Sequence, residues 1–269
     1  MTIMRLVALF VACAGILGLP GPAGGAYEVE QQNPSVRSFR FAAQQGEPHA
    51  FYQLGLLYKR GKGVPKDSRT ALYWFDLAAK RAVSAAQFEL GTIYGTGRKA
   101  EDHLAAVRFI QEAARQGFAR AEYSLGLMYE QGQLVPRNAE EAATWYRRAA
   151  AQGDAKAQYR LGTLYYKGLG LPRDDAAAIE WFQRAADQDI PEAQYNVGLM
   201  YARGEGVPTD NIRAHVWFAL AASQGYDEAV KGLDITASFL DPDQIAEAER
   251  LSRDWRPQQD RFRPIGLRP

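Results

Sequence analysis

The chain has one cysteine, three histidines and four methionines in 269 residues, and its 32 lysines and arginines almost cancel its 31 acids. Each scarcity excludes something. With Cys13 as the sole thiol, no internal disulfide framework can form. His49, His103 and His215 lie far apart without ligand spacing, so no metal site and no cofactor is expected. There is no G-x-S-x-G elbow, S-x-x-K pair or phosphate-binding loop, and the chain is not read as an enzyme. Carboxylate pairs such as Glu140-Glu141 and Asp174-Asp175 sit where helices start, which suits the helix dipole better than acid–base work. A net charge of +1 gives no electrostatic case for nucleic acid or for an anionic membrane.

Long apolar runs are also missing. The longest apolar stretch, LVALFVACAGILGL at 6–19, is too short to span a bilayer comfortably, so no stable membrane insertion is expected. Preceded by MTIMR and followed by PGPAGGA, with Gly24 and Ala26 placed like the −3 and −1 residues of a cleavage site, it reads as a secretory signal peptide over 1–26. Cys13 sits inside the run behind Phe10-Val11-Ala12, which is not a lipoprotein lead. Removing the segment takes Arg5 and the cysteine with it, leaving net charge 0 and a chain that relies on packing in a disulfide-permitting compartment. The expected location is periplasmic, with full secretion as the alternative.

What the chain has in abundance is self-similarity. The pattern Ala-x-aromatic-x-Leu/Val-Gly-x-x-Tyr occurs as AFYQLGLLY (50–58), AQFELGTIY (86–94), AEYSLGLMY (121–129), AQYRLGTLY (157–165) and AQYNVGLMY (193–201). The central glycines, Gly55, Gly91, Gly126, Gly162 and Gly198, are spaced by 36, 35, 36 and 36 residues. Such a period marks a repeat architecture. Within each unit the apolar residues follow one helical face, as Ala50, Leu54, Leu57 and Tyr58 do. Loops GKGVP, GQLVP, GLGLP and GEGVP then stop the helix. Asp67, Asn138, Asp174 and Asp210 are placed to cap a second helix. That helix reads ALYWFDLAA, EAATWYRRAA, AAIEWFQRAA and RAHVWFALAA, ending in paired alanines.

Glycine inside a helix costs about 0.5–1 kcal/mol against alanine, so five copies forfeit about 3–5 kcal/mol. Close approach of an aromatic from the second helix over the missing Cβ is the expected compensation. Copy two departs from the pattern: its loop GTGRKAEDH lacks Val-Pro, and Arg108 is read as standing where Trp74, Trp145, Trp181 and Trp217 stand. Copy three has Leu134 for the second loop glycine. A lone hairpin cannot bury its apolar faces, so the units must stack and the ends must be capped. The expected organisation is a signal peptide (1–26), an N-terminal capping helix region (27–49), a solenoid (50–233), a C-terminal capping helix (234–255) and a loose tail (256–269) with three prolines and four arginines.

The phrase LGxxYxxGxGVPxDxxxAxxWYxxAAxxG resembles the Sel1-like repeat, a relative of the tetratricopeptide repeat, over about residues 36–233. The resemblance implies an all-α, right-handed α/α solenoid of about five repeats with a capping helix at each end. It also implies an adaptor that holds another protein. In an exported bacterial member the partner is an envelope or membrane protein, the periplasmic domain of a sensor kinase among the choices. Other members assist polysaccharide export, so a cell-wall or exopolysaccharide assembly factor that binds glycan is the alternative. A cysteine-rich branch is tied to β-lactams, but this chain lacks the paired cysteines, which leaves a hydrolase as the remotest reading. Oligomeric state is left open.

With the helix glycine counted as position 8, positions 3, 7, 10 and 11 form the core side. The other side carries Gln53, Glu89, Ser124, Arg160 and Asn196 at position 6; Leu56, Thr92, Leu127, Thr163 and Leu199 at position 9; and Arg60, Thr96, Gln131, Lys167 and Arg203 at position 13. In related solenoids this side lines the concave surface, so these residues are the candidate protein-binding face. A leucine/threonine stripe flanked by variable polar groups suits a peptide or helix with apolar anchors and some acidic residues. The opposing expectation is that position 9 packs against the next repeat. The constant aromatic at position 5 is expected to pack.

Overall fold

The structure, a computed structural model, describes residues 33–97 and 99–255. The expected signal peptide and tail lie outside the described residues. The described residues form thirteen α-helices and no strand, an all-α repeat fold. They fall into two compact units, divided between Phe118 and Ala119.

The first unit holds α1 (Pro34–Gln44), α2 (Pro48–Arg60), α3 (Ser68–Ala79), α4 (Ser84–Gly95) and α5 (Ala100–Arg115). The second holds α6 (Ala119–Gln131), α7 (Ala139–Ala151), α8 (Ala155–Lys167), α9 (Asp175–Ala186), α10 (Pro191–Arg203), α11 (Asn211–Ser223), α12 (Asp227–Ala237) and α13 (Pro242–Arg253). Within each unit a first helix packs most closely on the second helix of its own repeat, and that second helix on the next first helix. The pairs are α2–α3 and α4–α5 in one unit and α6–α7, α8–α9 and α10–α11 in the other.

The helix glycines are where the two helices of a repeat touch. A Cβ on Gly55 would lie 2.5 Å from the Phe75 ring, one on Gly126 2.7 Å from Tyr146, and one on Gly162 or Gly198 2.8 Å from Phe182 or Phe218. No side chain fits there. These rings are buried, as are all the paired alanines except the half-buried Ala222, so the apolar area removed from water and the dispersion contacts offset the propensity cost of glycine. The position-5 aromatics flank the same rings: Tyr52–Phe75, Tyr123–Tyr146, Tyr159–Phe182 and Tyr195–Phe218 centroids are 5.6–6.0 Å apart.

Copy two keeps this contact with an aliphatic residue, a Cβ on Gly91 lying 2.5 Å from Ile110. That corrects the register read from the sequence. Because the loop is one residue shorter, Ile110 takes the place of Phe75, Phe109 takes the tryptophan place and Arg108 matches Tyr73. Phe109 stacks on Tyr94 at 5.8 Å, much as Trp74 stacks on Phe51 at 5.9 Å.

The four expected caps are made. Asp67 accepts from the Arg69 and Thr70 amides, Asn138 from Glu140 and Glu141, Asp174 from Ala177 and Asp210 from Arg213. Each cap residue's own N–H returns 2.9–3.1 Å to the carbonyl of the position-11 tyrosine, closing the loop. The second loop glycine serves close approach: a Cβ on Gly170 would meet the Ala139 carbonyl at 2.3 Å and one on Gly206 the Asp175 carbonyl at 2.4 Å. In copy three Leu134 occupies this place with φ 61°. Copy two has no capping side chain on α5; the His103 imidazole instead donates to the Gly97 carbonyl at 2.9 Å.

The C-terminal end has two helices where the sequence suggested one. α12 crosses the division at 233/234, and Gly232 lies under the same Phe218 ring that covers Gly198. α13 begins with a capping box at Asp241 and Gln244. It packs on α11, where Trp255 meets Trp217 edge-on at 4.7 Å.

Candidate functional site

The first helices have one side on the second helices and one side uncovered. Position 13 is exposed in every repeat: Arg60 and Thr96 in the first unit, Gln131, Lys167 and Arg203 in the second. Position 9 is half-buried at Leu56, Leu127, Thr163 and Leu199 and exposed at Thr92. Leu56 and Leu199 touch the core clusters, so this stripe is shared between packing and surface. Thr92 and Thr163 turn their hydroxyls back on their own helices, donating to the carbonyls of Glu89 and Tyr159 at 2.8 and 3.0 Å.

Position 6 is half-buried throughout, at Gln53, Glu89, Ser124, Arg160 and Asn196. Two of these residues are engaged by the preceding repeat. Lys59, at position 12, pairs with Glu89 in the first unit; Glu130, at position 12, pairs with Arg160 at 3.6 Å in the second. The two pairs link the same positions with opposite signs. Glu130 also accepts from the Tyr146 hydroxyl at 2.6 Å, and burial together with that carboxylate pushes the phenol well above its ordinary pKa. Gln53 bonds His49 at 2.9 Å. Arg203 donates to the Tyr166 hydroxyl at 3.4 Å, and Tyr166 donates to Glu205 at 2.9 Å.

Position 4 carries a feature the sequence reading missed. Gln87, Glu122, Gln158 and Gln194 are buried there, polar groups inside a packed interface. Each accepts from the glutamine in the turn ending its own repeat: Gln116 at 2.6 Å, Gln152 at 2.6 Å, Gln188 at 2.8 Å and Gln224 at 2.8 Å. Gln158 and Gln194 also donate to the carbonyls of Ala150 and Ala186 in the preceding repeat. Glu122, 1% exposed, is neutralised by Arg148 at 2.8 Å. In the first repeat Phe51 and Arg81 take these places, with the guanidinium 4.5 Å from the ring centroid. The recurring Gln at position 4 and in the turn was the signal for this clasp.

The histidines do not converge. His49 bonds Gln53, His103 the Gly97 carbonyl and His215 the Thr236 hydroxyl. Among the described residues no three His, Cys, Asp or Glu side chains lie together as a metal site would require. No described helix is long and apolar enough to cross a membrane.

A profile of the Sel1 repeat matches residues 48–83, 84–118, 119–154, 155–190 and 191–226. The chain belongs to the Sel1 repeat family. Among solved structures it is similar to c5321, described as a protective antigen present in uropathogenic Escherichia coli strains and displaying this fold. That match has 32% identity, TM-score 0.71, and covers 85% of this chain and 52% of that one. The fungal chitin synthase regulator SKT5 of Malassezia restricta is 33% identical over 40% of this chain and 8% of its own length. The alginate biosynthesis protein AlgK of Azotobacter vinelandii is 38% identical over 32% of this chain and 19% of its own. The chain thus spans about half of the solved neighbour and a small part of the curated relatives. Sel1 repeats generally bind other proteins, and Sel1 scaffolds are generally non-enzymatic.

Proposed function

We propose that this chain is an exported, non-catalytic scaffold that captures a partner protein on the uncovered side of its first helices. The observation that carries the reading is the division of labour along those helices. Positions 3, 7 and 8 are buried in every repeat and hold the fold. Position 13 is exposed in every repeat and changes from copy to copy, through Arg60, Thr96, Gln131, Lys167 and Arg203. Packing does not need these residues, so they are free to specify a partner. The partner proposed is an envelope or membrane protein in the periplasm, the extracytoplasmic domain of a sensor kinase being one form.

Capture by crosslinking in intact cells tests this. A specific protein should be recovered, and Leu127→Glu with Leu199→Glu should lose it while far-ultraviolet circular dichroism still reports a folded helical chain at the assay temperature. Recovery unchanged by those substitutions would end the reading. The second reading is a cell-wall or polysaccharide assembly factor that binds glycan. It is favoured by the roles of two relatives, alginate biosynthesis and chitin synthase regulation. Retention of the pure chain on isolated wall or polysaccharide, with no protein recovered, would favour it. Turnover of a β-lactam or glycan by the pure chain would instead revive a hydrolase.

A further inference from the structure

We infer that α12 and the turn after it are the docking site for the chain's own residues 256–269. This segment covers apolar side chains that the array leaves bare at its C-terminal end, and its arginines meet the carboxylates around them. The inference stands apart from the partner reading above and holds whichever partner the first helices take.

A terminal element of a repeat array is expected to show a polar outer surface. α13 does so, with Glu247, Glu249, Arg250 and Arg253. α12 does not. Its inner side seats Ala229 and Gly232 against α11, with Gly232 beneath the Phe218 ring. Ile235, in its last turn, is 59% exposed. Phe239, 67% exposed, lies past the helix, in a turn where the amides of Ser238, Phe239 and Leu240 bond carbonyls three residues back. α13 leaves both side chains uncovered, because it packs on α11, where Trp255 meets Trp217. Single exposed apolar residues are ordinary, but these two are four residues apart at the very end of the stack.

Charge selects the occupant. From α12 into the first turn of α13 the charged residues are Asp227, Glu228, Asp234, Asp241 and Asp243 against Lys231, a net charge of −4, and all six are exposed. None of the five carboxylates is in an ion pair among the described residues. The helices packed on α12 do not cancel them: Arg213 of α11 pairs with Asp210, and Arg203 of α10 has Glu205. Farther along α13, Arg250 and Arg253 are taken up by Glu247, Asp254 and Glu249. The occupant must therefore be basic and apolar. Residues 256–269, RPQQDRFRPIGLRP, carry four arginines and one acid, net +3, with Phe262, Ile265 and Leu267 among them. Residues 1–32 carry Glu28 and Glu30 against Arg5 and have the wrong sign. The basic segment starts directly after Trp255, which rests on the helix that also carries α12. Fourteen residues reach up to about 46–50 Å, against about 17 Å for the eleven residues of α12. A short tether also gives an effective concentration of about millimolar, so modest complementarity suffices.

The test uses the full chain, dilute, with a photocrosslinking phenylalanine in place of Phe239 and the products mapped by mass spectrometry. Adducts within one chain to residues 256–269 are expected. Their yield should fall about tenfold on Arg261→Glu with Arg263→Glu, and several-fold in about 1 M salt, where the Debye length is about 3 Å. Adding Asp234→Lys to the two glutamates should restore part of the yield, a rescue that misfolding would not give. Adducts confined to other parts of the chain overturn the inference. So does a yield indifferent to Arg261→Glu with Arg263→Glu. Adducts that join two chains, with a dimer in sedimentation, assign the patch to a second copy and overturn it too.

Discussion

The first repeat, in one unit, and the fourth, in the other, solve the same packing problem with partly different residues. Gly55 under Phe75 and Gly162 under Phe182 are the same contact. The clasp at position 4 is a cation over a ring in one, Arg81 on Phe51, and a pair of amides in the other, Gln188 on Gln158. The rung between positions 12 and 6 is Lys59–Glu89 in the first unit and Glu130–Arg160, with the signs reversed, in the second. Invariance thus falls off from the shape-constrained centre of the hairpin to its electrostatic edge. A ring has one way to lie over a bare Cα, whereas an ion pair works with either sign. The outermost positions change from copy to copy, and they are the ones proposed to meet a partner.

The comparison can be pressed from its centre outward. Phe75→Ala and Phe182→Ala should each cost about 3–5 kcal/mol in denaturant unfolding, from lost burial plus the cavity. Clearly unequal losses would show that the two contacts are not equivalent. Gly55→Ala and Gly162→Ala should each cost about 1–3 kcal/mol by overpacking, although alanine is the better helix former; a stabilising alanine at either site would contradict the close-approach account. Gln158→Leu leaves the Gln188 amide and the Ala150 carbonyl without this partner and should cost about 1–3 kcal/mol. Glu89→Lys should cost about 1 kcal/mol or less, since a pair whose lysine is solvated is weak, and Lys59→Glu added to it should restore the loss.

The C-terminal end supplies a pH-dependent counterpart. His215 is buried against Thr236, and burial holds its pKa below the ordinary imidazole value, with Glu249 pulling partly back. The unfolded chain therefore binds a proton at higher pH than the folded one does. Stability is present in full above about pH 6.5 and should fall as the pH drops below it. His215→Gln should flatten the melting temperature between about pH 7 and pH 5 relative to the parent; an unchanged slope would assign the dependence elsewhere.

Much of this was legible in the residues. Five hairpins follow from a glycine recurring at a fixed period, and the caps at Asp67, Asn138, Asp174 and Asp210 follow from their distance to a proline. Three features were not. The loop in copy two is a residue short, so counting forward misplaced Arg108 and hid Phe109. The clasp was missed because Gln158 and Gln188 lie thirty residues apart and look like surface amides in a linear reading. α12 was missed because Asp234 stands where the helix glycine belongs, while the glycine that packs, Gly232, comes two residues earlier. Of the candidate face, the exposure of position 13 could be anticipated from helical periodicity. The engagement of Glu89 and Arg160 by the preceding repeat could not, because it depends on how successive first helices lie side by side.

The most direct test of the account places a photocrosslinking amino acid in intact cells at Gln131, Lys167 or Arg203 on the uncovered side, and at Thr144 or Glu180 on exposed second-helix positions. The account predicts adducts of one size from the first three positions and none from the other two. Adducts from Thr144 and Glu180 alone, or adducts of one size from all five positions, would contradict it.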